Sequence, residues 1–272
     1  MANPSSPPLG LRRRPALVGM VHVLPTPGSP GQRSLPESLD RALQDAQVLL
    51  DTGFDAILME NMHDFPPLRE ADMGPEVPAY LAVIGRELRR LAPPGIPVGI
   101  QVLFAAHRVA VAVALAAGLD FLRAEAWTYG HLSDKGWVEA SAATTLRYAR
   151  SIQAEGLGIW ADVKKKHASH AATADLSLEE IAATLRLHGA SAAILTGGST
   201  GVAPDPADFS RVRAACDLPL VLGSGLTVQN APEFAALADA CIVGSSLKKD
   251  GKWNNPIDLD RAKALADAFH SA

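Results

Sequence analysis

Eight times along this chain of 272 residues a short apolar run is followed by a longer stretch of helical period, and this alternation constrains the fold more than any other feature. The runs lie at 16–21, 56–60, 98–103, 121–125, 158–163, 193–196, 220–223 and 240–243. Each is short and ends in glycine or polar residues, as parallel strands covered on both faces do. The helical stretches lie at 36–52, 77–91, 107–117, 139–155, 177–188, 206–216, 229–237 and 256–269. In the first of them Leu39, Leu43, Ala46 and Leu50 share a face. Gly53, Gly118, Gly156 and Gly189 recur where a helix must stop before the next run. Eight strand–helix units are the number that closes a parallel barrel. We therefore expect one (β/α)8 TIM barrel over residues 16–272, behind a short disordered leader at 1–15. Two smaller domains would also suit the length, but no linker divides the chain. An open doubly wound sheet calls for a glycine-rich dinucleotide fingerprint after the first strand, and none is present.

Composition narrows the function classes. Hydrophobic residues make up 48% of the chain, ample for a barrel core, and the formal net charge is only −4, which argues against a nucleic-acid binder. No apolar run approaches the ~18 residues of a membrane span, and the Pro- and Arg-rich start has no secretory apolar region. Cys216 and Cys241 sit in apolar stretches without metal-like spacing and read as buried thiols. The expectation is a cytoplasmic protein with neither nucleic acid nor membrane as partner, open to self-association through exposed apolar helix faces.

The seventh and eighth runs each end in a small turn, Gly223-Ser224-Gly225 and Gly244-Ser245-Ser246. Glycine lets backbone approach a ligand, and free N–H groups there can donate to a phosphate. Barrels often place such a site after these two strands with a short extra helix, which Ser245-Ser246-Leu247-Lys248 is suited to begin. One such turn is weak, and two at matching positions favour a phosphate-bearing ligand over ordinary turns. Thr196-Gly197, opening the loop Thr196-Gly197-Gly198-Ser199-Thr200-Gly201 after the sixth run, is placed to add hydrogen bonds.

Charges gather at the other strand ends. His22 closes the first strand and Glu60 the second, Arg123 and Glu125 point one way two residues apart, and so do Asp162 and Lys164. Charges seldom end apolar strands unless paired or facing a polar pocket, so each is as compatible with ion pairing, for example Arg123 with Glu60 or Glu125, as with catalysis. Lys165 and Lys166 read as a solvated face, with Lys164 turned inward. His167, three residues before His170, suits general acid–base work. The zinc signature HExxH is absent, so no cofactor is expected, although a divalent metal at His22, Glu60 and His167 stays open as the weaker expectation. Nor is there a Gly-x-Ser-x-Gly elbow to support a serine hydrolase.

Taken together, several segments resemble the BtpA/SgcQ family of barrel proteins. They are Gly19-Met20-Val21-His22, Pro25-Thr26-Pro27-Gly28-Ser29-Pro30, Met59-Glu60-Asn61, Leu122-Arg123-Ala124-Glu125, Ala161-Asp162-Val163-Lys164 with Lys166-His167, and Thr196-Gly197 with Thr200-Gly201. The two glycine–serine turns, the second extended through Lys248-Lys249-Asp250-Gly251, complete the set. Thr26 stands where leucine is usual in the family, and Gln101 where asparagine is expected. The resemblance implies a phosphate-binding barrel. It leaves the reaction open, since one member is associated with photosystem I accumulation and others carry a nucleosidase label.

The expectation that follows is an enzyme acting on a sugar phosphate or nucleotide-like compound, by hydrolysis of an N-glycosidic bond ahead of isomerase or lyase chemistry. Asp162 would be the general base, Lys164 an electrostatic stabiliser or proton donor, and Glu60 or His22 the partner acid. A non-catalytic assembly or regulatory factor is the alternative.

Overall fold

The computed structural model describes residues 10, 11, 13–199 and 201–272. Most of the expected leader and Thr200 lie outside the described residues.

Eleven strands are described: β1 (Ala16–His22), β2 (Ala56–Glu60), β3 (Val98–Gln101), β4 (Phe121–Ala124), β5 (His131–Ser133), β6 (Gly136–Val138), β7 (Gly158–Asp162), β8 (Ala168–Ser169), β9 (Ala192–Leu195), β10 (Leu220–Leu222) and β11 (Ala240–Val243). Eight of them close a parallel barrel in the order β1-β11-β10-β9-β7-β4-β3-β2. Around it run α1 (Leu35–Asp51), α2 (Glu76–Leu91), α3 (His107–Ala117), α4 (Ala142–Ser151), α5 (Leu178–Leu187), α6 (Pro206–Ala215), α7 (Ala231–Leu237) and α8 (Leu259–His270). Capping explains several starts. Ser34 with Glu37 and Ser177 with Glu180 form reciprocal capping boxes on α1 and α5, and Asp258 caps α8. The expected 139–155 helix begins only at Ala142, because Ser141 and Ala142 donate back to Ala126 and Trp127 instead of extending the helix.

Alternation along each strand sorts side chains between two cores. Outward-pointing residues such as Leu17, Ile57 and Ile100 pack under the helices. Inward-pointing Val18, Leu58, Phe121, Trp160, Ile194, Val221 and Ile242 fill the barrel, with the Phe121 and Trp160 rings stacked 4.0 Å apart. Gly99 on the neighbouring strand makes room for this stack, since a Cβ there would sit 2.4 Å from the Phe121 ring. Leu11, within the stretch expected as leader, is 2% exposed and belongs to the same interior group.

The sequence reading has no counterpart for the three-stranded antiparallel sheet β6-β5-β8. It is built by the loop after β4 and the loop after β7, with Leu132 opposite Trp137 and Ser133 opposite both Gly136 and Ala168. No helix among the described residues is long and apolar enough to cross a membrane.

Candidate functional site

Continuing the inward register by one more residue per strand produces the mouth of the barrel. The inward positions at the strand ends are His22, Glu60, Gln101, Arg123 and Asp162 on β1, β2, β3, β4 and β7. On the β9, β10 and β11 side the same layer falls on Thr196, Gly223 and Gly244, just past each strand. Period two thus sets apolar layers below and gives one half of the rim charges, the other half small residues. Above them opens a cavity of about 300 Å³, lined by His22, Glu60, Gln101, Arg123, Glu125, Lys165, Lys166, His167, Gly223, Ser224, Gly244 and Ser245. Met20, Met62, Phe65, Leu103, Phe104 and Ile242 supply apolar wall, and the small sheet adds His131, Ser133, Asp134 and Lys135 from the loops above.

Two ion pairs occupy the charged half. Arg123 donates twice to Asp162 Oδ1, at 3.0 and 3.2 Å, and once to Oδ2 at 3.3 Å. The side chains are 5% and 0% exposed, and Asp162 itself does not line the cavity. The carboxylate expected as general base is therefore the counter-ion of a buried guanidinium. Lys165 Nζ lies 2.5 Å from Glu125 Oε1, which also accepts from Gln101 Nε2 at 2.7 Å. Burial raises the Glu125 pKa, but the Lys165 ammonium and then Arg123 outweigh it and hold the carboxyl down at about 2.

Lys164 does not face inward as the strand register suggests. The strand ends at Asp162, the chain bends, and Lys164 Nζ reaches out to the Leu176 carbonyl at 3.4 Å. Lys165 and Lys166, expected on a solvated face, turn into the cavity instead. The bend is fixed by His170 Nε2, which donates to the Lys165 carbonyl at 2.8 Å, and by Thr196 Oγ1, which donates to the Lys164 carbonyl at 2.9 Å. His167 sits at the outer edge with φ 57°, a left-handed conformation that costs a non-glycine residue energy.

Two titratable groups stand outside the pairs. Burial raises the pKa of Glu60, against the pull of Lys165, Arg123 and Lys166. Burial, with Arg123 and Lys165 nearby, lowers Lys166 to about 8. A carboxyl driven up and an amine driven down in one cavity are the arrangement that proton transfer near neutral pH uses.

His22 is a neutral acceptor. Its Nδ1 meets the Trp253 carbonyl at 2.9 Å, and since a carbonyl only accepts, the proton is on Nδ1 and Nε2 carries a lone pair. Burial and the Lys248 ammonium lower its pKa to about 3. A Cβ at Gly244 would sit 3.3 Å from that Nε2, so glycine keeps space beside the ring. Gln101 Oε1 is buried without a hydrogen-bond partner.

The glycine–serine half is built by close loop packing. Gly225 has φ 85°, and a Cβ there would lie 2.2 Å from the Ala203 backbone nitrogen. Gly197 is pressed on Val202, where a Cβ would lie 2.4 Å from the carbonyl oxygen. Gly225, Thr196 and Gly197 therefore hold the loops together from behind, while Gly223, Ser224, Gly244 and Ser245 reach the cavity. Ser224 Oγ accepts from Gly201 N at 3.1 Å, which leaves its proton free to donate. The expected extra helix is a single 3-10 turn, Ser245–Leu247.

Thr26, which departs from the family's usual leucine, donates through N and Oγ1 to Asp64 at 2.7 and 2.8 Å and so ties the first loop to the second. Among the described residues no group of three or more His, Cys, Asp or Glu is arranged to hold a metal ion.

Comparison with known proteins agrees with the barrel fold. The BtpA family model matches residues 13–271. An uncharacterized mitochondrial protein of Caenorhabditis elegans is 38% identical over 253 residues, 91% of this chain and 90% of that one. The photosystem I biogenesis protein BtpA of Synechocystis is 34% identical over 256 residues, 93% of this chain and 87% of that one. Among solved structures, thiamine phosphate pyrophosphorylase from Pyrococcus furiosus superposes with a TM-score of 0.60 at 15% identity, covering 94% of this chain and 96% of that one. Orotidine 5'-phosphate decarboxylase from Pyrococcus horikoshii gives 0.57 at 15% identity, covering 94% and 100%. At that identity the structural matches establish the shared barrel.

Proposed function

This chain belongs to the BtpA family, and on that premise we propose that it is an enzyme that binds a small phosphorylated metabolite in the barrel mouth and works on it by acid–base chemistry. One observation carries the reading: the inward layer at the strand ends divides into a glycine–serine half and a charged half that share a single cavity. The N–H groups and hydroxyls of Ser224 and Ser245 suit the phosphate. Glu60 and Lys166 suit the reacting end, and the phosphate grip would hold the substrate over them.

Charge supports the same orientation. Arg123 is balanced by Asp162, Lys165 by Glu125 and Lys135 by Asp134, which leaves Lys166 and Glu60 as the ionisable groups of the wall outside the pairs. The lone acceptor His22 Nε2 calls for a donor, such as a hydroxyl of a sugar phosphate. Both solved barrels described above are named for phosphate compounds, which fits a phosphorylated ligand here.

The residues bear unevenly on the choice of reaction. Glycosidic hydrolysis commonly uses two carboxyl groups flanking the bond. Here Asp162 and Glu125 each neutralise a cation, and Glu60 is left with Lys166. That couple fits isomerase or lyase chemistry better than N-glycosidic hydrolysis. The name of the Synechocystis relative favours a second reading, an assembly factor, for which the cavity would need no ligand.

Thermal melting with a panel of sugar phosphates, nucleotides, inorganic phosphate and the matching free sugars separates the two. A ligand at about 100 times its Kd adds roughly 2.7 kcal/mol to stability. We expect a phosphorylated compound to raise Tm by several degrees, its dephosphorylated counterpart to do less, and Ser224→Ala to shrink the difference. If no phosphate compound outperforms its free sugar, the phosphate reading fails.

A further inference from the structure

We propose that Lys166 is an imine-forming nucleophile: its ε-amino group, unpaired on the cavity wall it shares with Glu60, condenses with the carbonyl carbon of a keto or aldehydo ligand. This deepens the reading of the cavity as a small-metabolite site and rests on it.

The three consecutive lysines differ in what holds them. Lys164 donates to the Leu176 carbonyl, and Lys165 is bound to Glu125. Lys166 has no hydrogen bond or ion pair to any described residue, although it is half-buried and lines the cavity. A half-buried amine without a hydrogen-bonding partner is held by no other group of the wall, and its partial desolvation costs energy that a counter-charge would normally offset. The groups acting on it are Arg123 and Lys165, which repel the charged form, and Glu60 and Asp162, which favour it. Burial and the two cations prevail, and the ammonium titrates at about 8. At pH 7.5 such a lysine holds on the order of a hundredfold more free amine than an ordinary one.

Glu60 completes the chemistry. Burial raises the pKa of its carboxyl, which shares the cavity wall with Lys166. The amine lone pair adds to the carbonyl carbon and the C=O π pair moves to oxygen. Transfer of the nitrogen's proton gives a neutral carbinolamine. Glu60 then protonates the hydroxyl, the C–O bond breaks, water leaves, and a protonated imine to Lys166 forms beside the Glu60 carboxylate. The imine draws electrons from the neighbouring carbon, where Glu60 can now take a proton. Lysine desolvated in this way is a recognised route to Schiff-base chemistry. Hydrolysis of the imine returns both groups to their starting states.

The test is reductive trapping. The full-length protein is incubated at pH 7.5 with dihydroxyacetone phosphate or dihydroxyacetone and sodium cyanoborohydride, and adducts are located by peptide mass spectrometry. We expect the first adduct at Lys166, forming at least roughly tenfold faster than at any other lysine, and faster with the phosphate ester. Lys166→Arg should abolish that adduct. Glu60→Gln should slow it about tenfold or more while the lysine remains reactive towards a simple acylating reagent. Labelling spread over surface lysines, or led by Lys165, overturns the proposal. If phosphate esters raise Tm but Lys166 is not trapped, the phosphate-site reading stands and the imine fails. If trapping occurs at Lys166 without any preference for the ester, the imine stands and the phosphate grip fails.

Discussion

Asp162→Asn separates a structural carboxylate from a reacting one. The substitution keeps the shape and part of the hydrogen bonding but removes the charge opposite Arg123, whose side chain is only 5% exposed. At about 4 Å and an effective dielectric of about 20, the attraction lost is about 4 kcal/mol. Buried pairs broken from one side typically cost about 3–5 kcal/mol. Because the amide still accepts hydrogen bonds, we expect a loss of about 3 kcal/mol, or a Tm lower by roughly 6–12 °C for a domain of this size. The assay is urea and thermal unfolding followed by circular dichroism, on Asp162→Asn, Arg123→Met and the double variant. If the pair is structural, the double variant is more stable than Asp162→Asn, because no buried cation is left without its counter-charge. A loss below about 0.5 kcal/mol, or a double variant no better than the additive sum, refutes the assignment and restores Asp162 as a candidate base.

Two further outcomes follow from the same geometry. Gly225→Ala combines φ 85° with a Cβ placed 2.2 Å from the Ala203 nitrogen, so it should cost about 2–4 kcal/mol. The urea midpoint reads this directly, and an unchanged midpoint would mean the two loops are not packed as described. Acid should destabilise the fold through its neutral buried histidines, since His22 titrates at about 3 and His107 at about 4 when folded, both depressed chiefly by burial. Below the unfolded pKa of about 6.5 the unfolded chain takes up protons that the folded one refuses, so stability present above that pH falls as pH drops towards these values. Each group contributes a slope of about 1.4 kcal/mol per pH unit between roughly pH 6 and 4. His22→Gln should remove one such slope from the stability–pH curve, and an identical curve would contradict the buried neutral ring.

The barrel was legible because its evidence is periodic: all eight barrel strands occur where apolar runs stand, and β2 and β11 match to the residue. Alternation also put Arg123 and Glu125 on one face, and the strand ends picked out His22 and Glu60; all four line the cavity, since each lies on a strand or one residue beyond it. The same rule misplaced Lys164, because it was carried two residues past Asp162 into a bend held by His170 and Thr196 from elsewhere in the chain. Nor could period two tell which carboxylate would take Arg123. Asp162 lies beside it on the paired strand β7, and Glu60 and Glu125 shared its face equally well on paper. The small sheet was missed for lack of length, as its strands run only two or three residues. Its signal was the Asp134-Lys135 turn between His131-Leu132-Ser133 and Gly136-Trp137-Val138, with Gly136 at φ 103°. Orphaned acceptors such as Gln101 Oε1 leave no trace in sequence, because they are defined by what surrounds them.

The central claim is that Lys166 and Glu60 form the reactive couple of this cavity. It is tested most directly by nuclear magnetic resonance titration of the lysine ε-carbons, with Lys166 assigned by its loss in Lys166→Arg. We expect Lys166 to titrate at about 8, well below the ordinary value of about 10.4 for a lysine side chain in water. Glu60→Gln should lower the Lys166 midpoint further, because it removes a carboxylate that favours the ammonium. A Lys166 resonance titrating with the exposed lysines, unmoved by Glu60→Gln, would contradict the account.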